Sequence, residues 1–182
     1  MGVIQKPSPV ALIVAMLSQD PELFTAATHH LTTRHGQVLI ISDLLDFSET
    51  DYYAPQMGSP LLRQFIAFAR PIDPGDLAAI KHETNDLEAQ LAASEPARRL
   101  AVTRPINLDP GCLEPSKLVL ATTKNFSHRV YLGQAIYAEA TLAYRSGRWQ
   151  PWPYTYPDYA SGRYFPFLTA VRNHLLSQLK ET

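Results

Sequence analysis

The chain has 182 residues, 46% of them hydrophobic, and its 16 basic and 17 acidic side chains leave a net charge of −1. That length supports one well-buried core, hiding roughly 70% of the unfolded surface, so a single globular domain over 1–182 is expected. The charge gives no global field to hold a polyanion, so nucleic acid is not indicated, and a lone cysteine, Cys112, excludes an internal disulfide and a cysteine-built zinc site.

A single thiol suits a reducing compartment. The N-terminal MGVIQKPSP has no basic region leading into an apolar one, and Lys6 stands where a myristoylation signal needs Ser or Thr. The longest apolar run, 10–17, is far too short to span a bilayer. A cytoplasmic protein without a membrane segment is expected.

Residues 9–17 (PVALIVAML) form a continuous apolar run of strand length, suited to a central strand buried on both faces. Asp20 followed by Pro21 is an N-cap with proline at the first helical position. The helix then runs to His35, with Leu23, Ala26, Ala27 and His30 or Leu31 inward and Gly36 closing it. Residues 38–45 are the next strand.

The stretch 46–60 (DFSETDYYAPQMGSP) is expected to be a loop, and its length favours a functional one. Its Tyr52 and Tyr53 either line a pocket or cover the edge of the core. Residues 61–69 follow as a strand stopped by Pro71. Asp73 and Pro74 repeat the cap-and-proline start, and a helix to about Ala93 carries Leu77, Ile80, Leu87 and Leu91 inward. Arg98, Arg99 and Arg104 lie in a polar loop, as a solvated face or a phosphate contact. Residues 106–109 form a short strand ending in a turn at Asp109, Pro110 and Gly111.

Strand, helix, strand, strand, helix, strand is the order of a ferredoxin-like split βαβ (βαββαβ) core, an α+β fold with an antiparallel sheet. Residues 115–121 are helix or strand. Strands at 130–132 and 136–144, a Ser146–Gly147 hairpin turn and a strand at 148–152 extend the core. The proline-aromatic run 149–159 is expected to be extended, and 164–179 to be a final helix with Phe167, Leu168, Val171, Leu175 and Leu179 inward.

The segments NLDPG, SKLVLATTKNFSHRVYLG, IYAEATL and YTYPDY, with the earlier DYYAPQMG, resemble the bacterial family of unknown function DUF4416, over nearly the whole chain from Val10 to about Leu179. The resemblance implies no activity, substrate or catalytic residue. Some members carry a GTP-binding label. The motifs here do not support it: there is no G-x-x-x-x-G-K-[ST] loop, and TTKN lacks the aspartate of a guanine-reading N-K-x-D.

Chemistry therefore rests on residue types between Asn107 and Glu139. Lys117, Lys124 and Arg129 are cations close in sequence, and Thr122, Thr123, Asn125 and Ser127 add donors suited to phosphate or carboxylate oxygens. His128 is either a general acid or base or a structural hydrogen-bonding group. Asp109, Glu139 and Asp158 with His128 could gather round a divalent metal, but no pair has a recognised metal spacing; the alternative pairs Glu139 with Lys124 or Arg129 and leaves Asp109 in a turn. Trp149, Trp152, Tyr154, Tyr156 and Tyr159 either stack on a base or sugar or pack the last helix.

Two expectations result. One is an enzyme acting on a phosphorylated small molecule or nucleotide, with His128 and Lys124 catalytic and Asn107, Asp109, Lys117, Thr122, Thr123, Asn125, Ser127, Arg129, Glu139, Tyr156, Asp158 and Tyr159 binding. The other is a non-catalytic module for a nucleotide, RNA or a protein partner. No cofactor or oligomeric state can be read from the sequence.

Overall fold

The computed structural model describes residues 2–180; Met1, Glu181 and Thr182, the ends of the expected 1–182 span, lie outside the described residues. Nine described strands form one antiparallel sheet, in the order β2-β4-β1-β5-β6-β8-β7, with β3 also on β4, β9 also on β8 and β7 (Val130–Gly133) at one edge. The central strand β1 (Ala11–Ser18) is buried throughout, as its continuous apolar run requires. It lies between β4 (Leu61–Phe68) and β5 (Ile106–Leu113).

Alternation along β1 divides the core between two faces. Leu12, Val14 and Met16 pack with Leu23, Phe24, Ala27 and Leu31 of α1 (Pro21–His35) and with Ile80 and Leu87 of α3 (Leu77–Ala92). Ala11, Ile13 and Ala15 face Phe167, Leu168, Val171 and Leu175 of α6 (Phe165–Gln178). The sheet is thus covered by helices on both faces, because β1 has no polar side to turn outward.

Several expected boundaries hold. The Asp20 side chain accepts from Glu22 N at 2.9 Å, as an N-cap with proline behind it should. Ser146 and Gly147 have φ of 50° and 78° and join β8 (Ile136–Arg145) to β9 (Arg148–Pro151). The undecided stretch 115–121 contains a strand, β6 (Lys117–Thr122).

Others need correction. The strand expected over 38–45 is two strands, β2 (Val38–Ile41) and β3 (Leu45–Phe47). At the break Ser42 substitutes for a ladder residue: its N–H donates to Phe65 O and its hydroxyl accepts from Phe65 N, each at 2.9 Å. The expected loops hold short helices, α2 (Ala54–Met57) and α4 (Glu95–Arg99). A 3-10 turn, Pro74–Asp76, precedes α3, with Asp73 accepting from Gly75 N. Within the proline-aromatic run, α5 (Pro157–Ala160) is helical, since Pro157 at its first position needs no donor.

The expected turn at Asp109, Pro110 and Gly111 is not a turn. All three lie inside β5, paired with Ala15, Val14 and Ile13. Pro110 is tolerated there because β5 pairs with β6 only from Gly111 to Leu113. Leu108 turns both its N–H and its C=O to the open side of β5, and Pro110, two residues on, presents its donor-free nitrogen to the same side. Gly111 is needed for the approach of β6, since a Cβ there would lie 2.7 Å from Leu120 Cδ2 and 2.9 Å from Val119 O.

Candidate functional site

Register places the polar residues of the sheet together. Arg63, Leu17 and Asn107 are opposed across β4, β1 and β5; Phe65, Ala15 and Asp109 form the next row; Gly111, Leu120 and Glu139 continue the third across β5, β6 and β8. Opposed residues share a face, here the one that α6 covers. Beyond the helix's reach the polar groups border an open space. The space is a cavity of about 550 Å³, closed over by Glu49, Thr50, Tyr52 and Tyr53, by Thr122–Phe126 of the β6–β7 connection and by Tyr156–Tyr159.

The open edge of β5 needs partners in a buried setting. Lys81 Nζ donates to Leu108 O at 2.7 Å, and Glu88 Oε1 accepts from Leu108 N at 2.7 Å. Lys81 also donates to Asp109 Oδ1 at 3.1 Å; Asn107 Nδ2 donates to Asp109 Oδ2 at 2.6 Å; Arg104 bridges Glu88 and Asn107 Oδ1. The result is a closed ring of hydrogen bonds through Glu88, Arg104, Asn107, Asp109, Lys81 and the Leu108 backbone. Burial pushes the Asp109 carboxyl up, but Lys81 and Arg63 outweigh it and hold it below its usual value. Burial pushes Glu88 up, against Lys81 and Arg104.

A second node lies on β8. Glu139, 3% exposed in its side chain, accepts from Arg129 Nε and meets His128 Nε2, both at 2.9 Å. Arg129 also donates to Lys124 O at 2.9 Å and to Tyr156 OH at 2.8 Å, so it fixes the loop rather than standing free. His128 lies behind Glu139, its ring stacked on Tyr154 at 4.1 Å between centroids, and is not part of the cavity lining. The Glu139–Arg129 pairing considered from sequence is present.

The third node joins Asp158, named from sequence, to Arg63, which was not. Arg63, 3% exposed, contributes to the cavity wall; its Nη2 donates to Asp158 Oδ2 at a long 3.4 Å, while Nε and Nη1 meet no acceptor among the described residues. Tyr164 OH also donates to Asp158, at 3.2 Å, and burial raises the Asp158 pKa despite Arg63. The carboxyls of Asp109 and Asp158 are thus shifted in opposite directions within one cavity, the separation that an acid–base pair uses.

Lys124 reaches across to Tyr52, donating to its hydroxyl with Nζ 4.4 Å from the ring centroid. That hydrogen bond and charge lower the Tyr52 phenol pKa. Among the described residues Lys124 has no carboxylate within ion-pair distance.

Of the residues named from sequence, Asn107, Asp109, Thr122, Thr123, Lys124, Asn125, Arg129, Glu139, Tyr156, Asp158 and Tyr159 meet at the cavity. Lys117 does not: it starts β6, at the far end from Thr122, and pairs with Glu114 at 2.6 Å. Ser127 is exposed outside the lining. Among the described residues no three His, Cys, Asp or Glu side chains form a group that could hold a metal ion. Arg99 pairs with Asp20 and Glu22 on the surface, whereas Arg104 belongs to the ring. Trp149 packs in the α6 core. The missed residues had a signal. Lys81, Thr84 and Glu88 fall on the inward helical stripe with Leu77, and Arg63 falls on the inward alternation of β4.

These features define an α+β protein with an antiparallel sheet and a charged, aromatic-lined cavity on one sheet face. The chain belongs to the family described as Domain of unknown function (DUF4416), which it matches over residues 8–175. No curated protein and no solved structure matches the chain. No helix among the described residues is long and apolar enough to cross a membrane.

Proposed function

We propose that this protein binds a phosphorylated small molecule or nucleotide in the cavity, through Lys124 and the donors of Thr122, Thr123 and Asn125. One observation carries the reading. Glu49, Asp109, Glu139 and Asp158, the carboxylates of the lining, each already hold a cation, while among the described residues Lys124 is paired with no carboxylate. The cavity therefore has positive charge to spare. Its volume falls within the range of small-molecule sites, roughly 300 to 1,000 Å³. In the enzymatic form of this reading Lys124 touches the anion, Asp109 and Asp158 handle protons, and His128 positions Glu139 and the loop.

A non-catalytic binding module is the second reading, favoured by His128 being held between Glu139 and Tyr154. We also read the order β2-β4-β1-β5, with α1 and α3 on one face, as a ferredoxin-like core. A reducing, bacterial cytoplasm suits the single buried thiol.

A thermal-shift screen against nucleotides and sugar phosphates tests the proposal. A ligand at a hundred times its dissociation constant adds about 2.7 kcal/mol, which raises Tm by about 5 to 10 °C in a chain of this size. The shift should disappear in Lys124→Ala. A full panel without any shift sinks the anion site, and a ligand bound without turnover selects the binding module.

A further inference from the structure

We propose that the ligand of this cavity is an aromatic anion, its acidic group held at Arg63 and its ring laid along a wall of protein aromatics. The inference rests on the cavity binding an anion, as read above, but seats the acidic group at Arg63 rather than at Lys124, which then flanks the ring at Tyr52.

Five lining residues carry the argument. The Arg63 guanidinium lies 4.8 Å from the Phe47 ring centroid; Phe47 meets Tyr53 at 5.8 Å; Tyr53 meets Tyr52 at 5.1 Å; and Lys124 Nζ lies 4.4 Å from the Tyr52 centroid. The wall is thus a cation, three rings set edge to face, and a second cation. Tyr52 is 62% exposed although it lines a cavity, so one of its ring surfaces is unused within the fold. At the other end Arg63 is buried, with one 3.4 Å bond to Asp158 and two donor nitrogens unmet. A buried guanidinium is normally satisfied on several donors, and phosphate or carboxylate is the group whose geometry matches its fork. An anion lacking a ring would leave the aromatic wall uncovered, and a neutral ring would leave Arg63 unmet. A ligand with both parts satisfies both.

Calorimetry with methyl phosphate, phenyl phosphate and benzoate tests this, together with the 15N–1H signal of Arg63 Nε, assigned by its loss in Arg63→Lys. Phenyl phosphate should bind at least tenfold more tightly than methyl phosphate. Tyr52→Ala should cancel that gain, and Tyr52→Phe, which keeps the ring but loses the hydroxyl contact to Lys124, should retain it. The Arg63 signal should shift on saturation of the wild-type protein, the variant serving only to assign it. Benzoate binding as tightly as phenyl phosphate assigns the acidic group to a carboxylate; weaker binding assigns it to a phosphate. Equal affinity for methyl and phenyl phosphate, or an Arg63 signal unmoved at saturation, overturns this inference and leaves the anion site standing. No binding of any of the three ligands overturns the anion site itself.

Discussion

Removing Glu139 should be among the costlier single changes to this fold. Its carboxylate is 3% exposed and is shared by Arg129, 8% exposed, and His128, 16% exposed. Glu139→Ala leaves a buried guanidinium and an imidazole without their acceptor, and breaking a buried pair from one side costs about 3 to 5 kcal/mol. For a chain of this length each kcal/mol moves Tm by roughly 2 to 4 °C, so a fall of about 6 to 20 °C is expected. Glu139→Gln keeps the shape and one acceptor oxygen and should lose less, about 1 to 2 kcal/mol. The pair Glu139→Leu with Arg129→Met removes both charges and should recover a good part of the loss, since well-packed apolar replacements of buried ion pairs are often neutral. Urea unfolding of the singles and the double gives the coupling energy, expected at about 1 to 3 kcal/mol. A Glu139→Ala protein melting within 2 °C of wild type (about 1 kcal/mol), or a double variant worse than the sum of its parts, would refute the claim that this node holds the β6–β7 connection over the cavity.

Three further outcomes follow from local chemistry. Burial lowers the His35 pKa more than the Glu83 contact raises it, so the stability held by neutral His35 is present above about pH 6.5 and lost as pH falls through its lower folded value; wild type should lose stability relative to His35→Phe between pH 7.5 and 5, and urea midpoints at the two pH values (about 7.5 and 5, either side of the ordinary histidine value) decide the sign. Burial pushes the Cys112 thiol up to about 12, so iodoacetamide at mild alkaline pH should label it only after unfolding, and rapid labelling of the native protein contradicts its placement between β1 and β6. Gly111→Ala places a methyl against Leu120 and the Val119 carbonyl and should cost about 1 to 3 kcal/mol by calorimetry, whereas a surface turn at Gly111 would tolerate the change.

Much of the fold was legible where one local signal had no competitor. The unbroken apolar run of β1, the Asp20–Pro21 start of α1 and the Ser146–Gly147 turn each led to the element observed. Legibility failed where long-range pairing overrode local propensity. Asp109, Pro110 and Gly111 have turn chemistry, yet eight residues of β1 pair with β5 and hold them extended. Pro157 was read as a helix breaker, although the rule that correctly started α1 at Pro21 permits a helix to begin there as well. The site was half legible. Its loop cations and threonines stood out as polarity without a core role, whereas Arg63 and Lys81 were single charges inside apolar patterns, and only the packing of α3 and α5 against the sheet brings them to Asp158 and Asp109.

The polarity of the cavity has two origins, and they separate cleanly. Because β6 leaves β5 at Gly111, the Leu108 N–H and C=O face a gap in the sheet, and in a buried setting those groups require partners. Lys81 and Glu88 supply them, and Arg104, Asn107 and Asp109 complete a ring in which each charged group is met by another. That much polarity is an obligation of the topology and would exist in a protein that bound nothing. Arg129 and His128 are committed in the same way to Glu139, the loop carbonyl of Lys124, the Tyr156 hydroxyl and the ring of Tyr154. Arg63 and Lys124 differ, since no backbone gap demands them: Arg63 meets Asp158 through one long bond with two donor nitrogens left over, and Lys124 meets only the Tyr52 hydroxyl. Burying a guanidinium with donors unpaired lowers stability, and on the proposed reading a bound anion completes it. The polar residues most prominent in the sequence therefore largely build the cavity, and on the proposed reading the two cations at the ends of its aromatic wall are the ones left to meet a ligand.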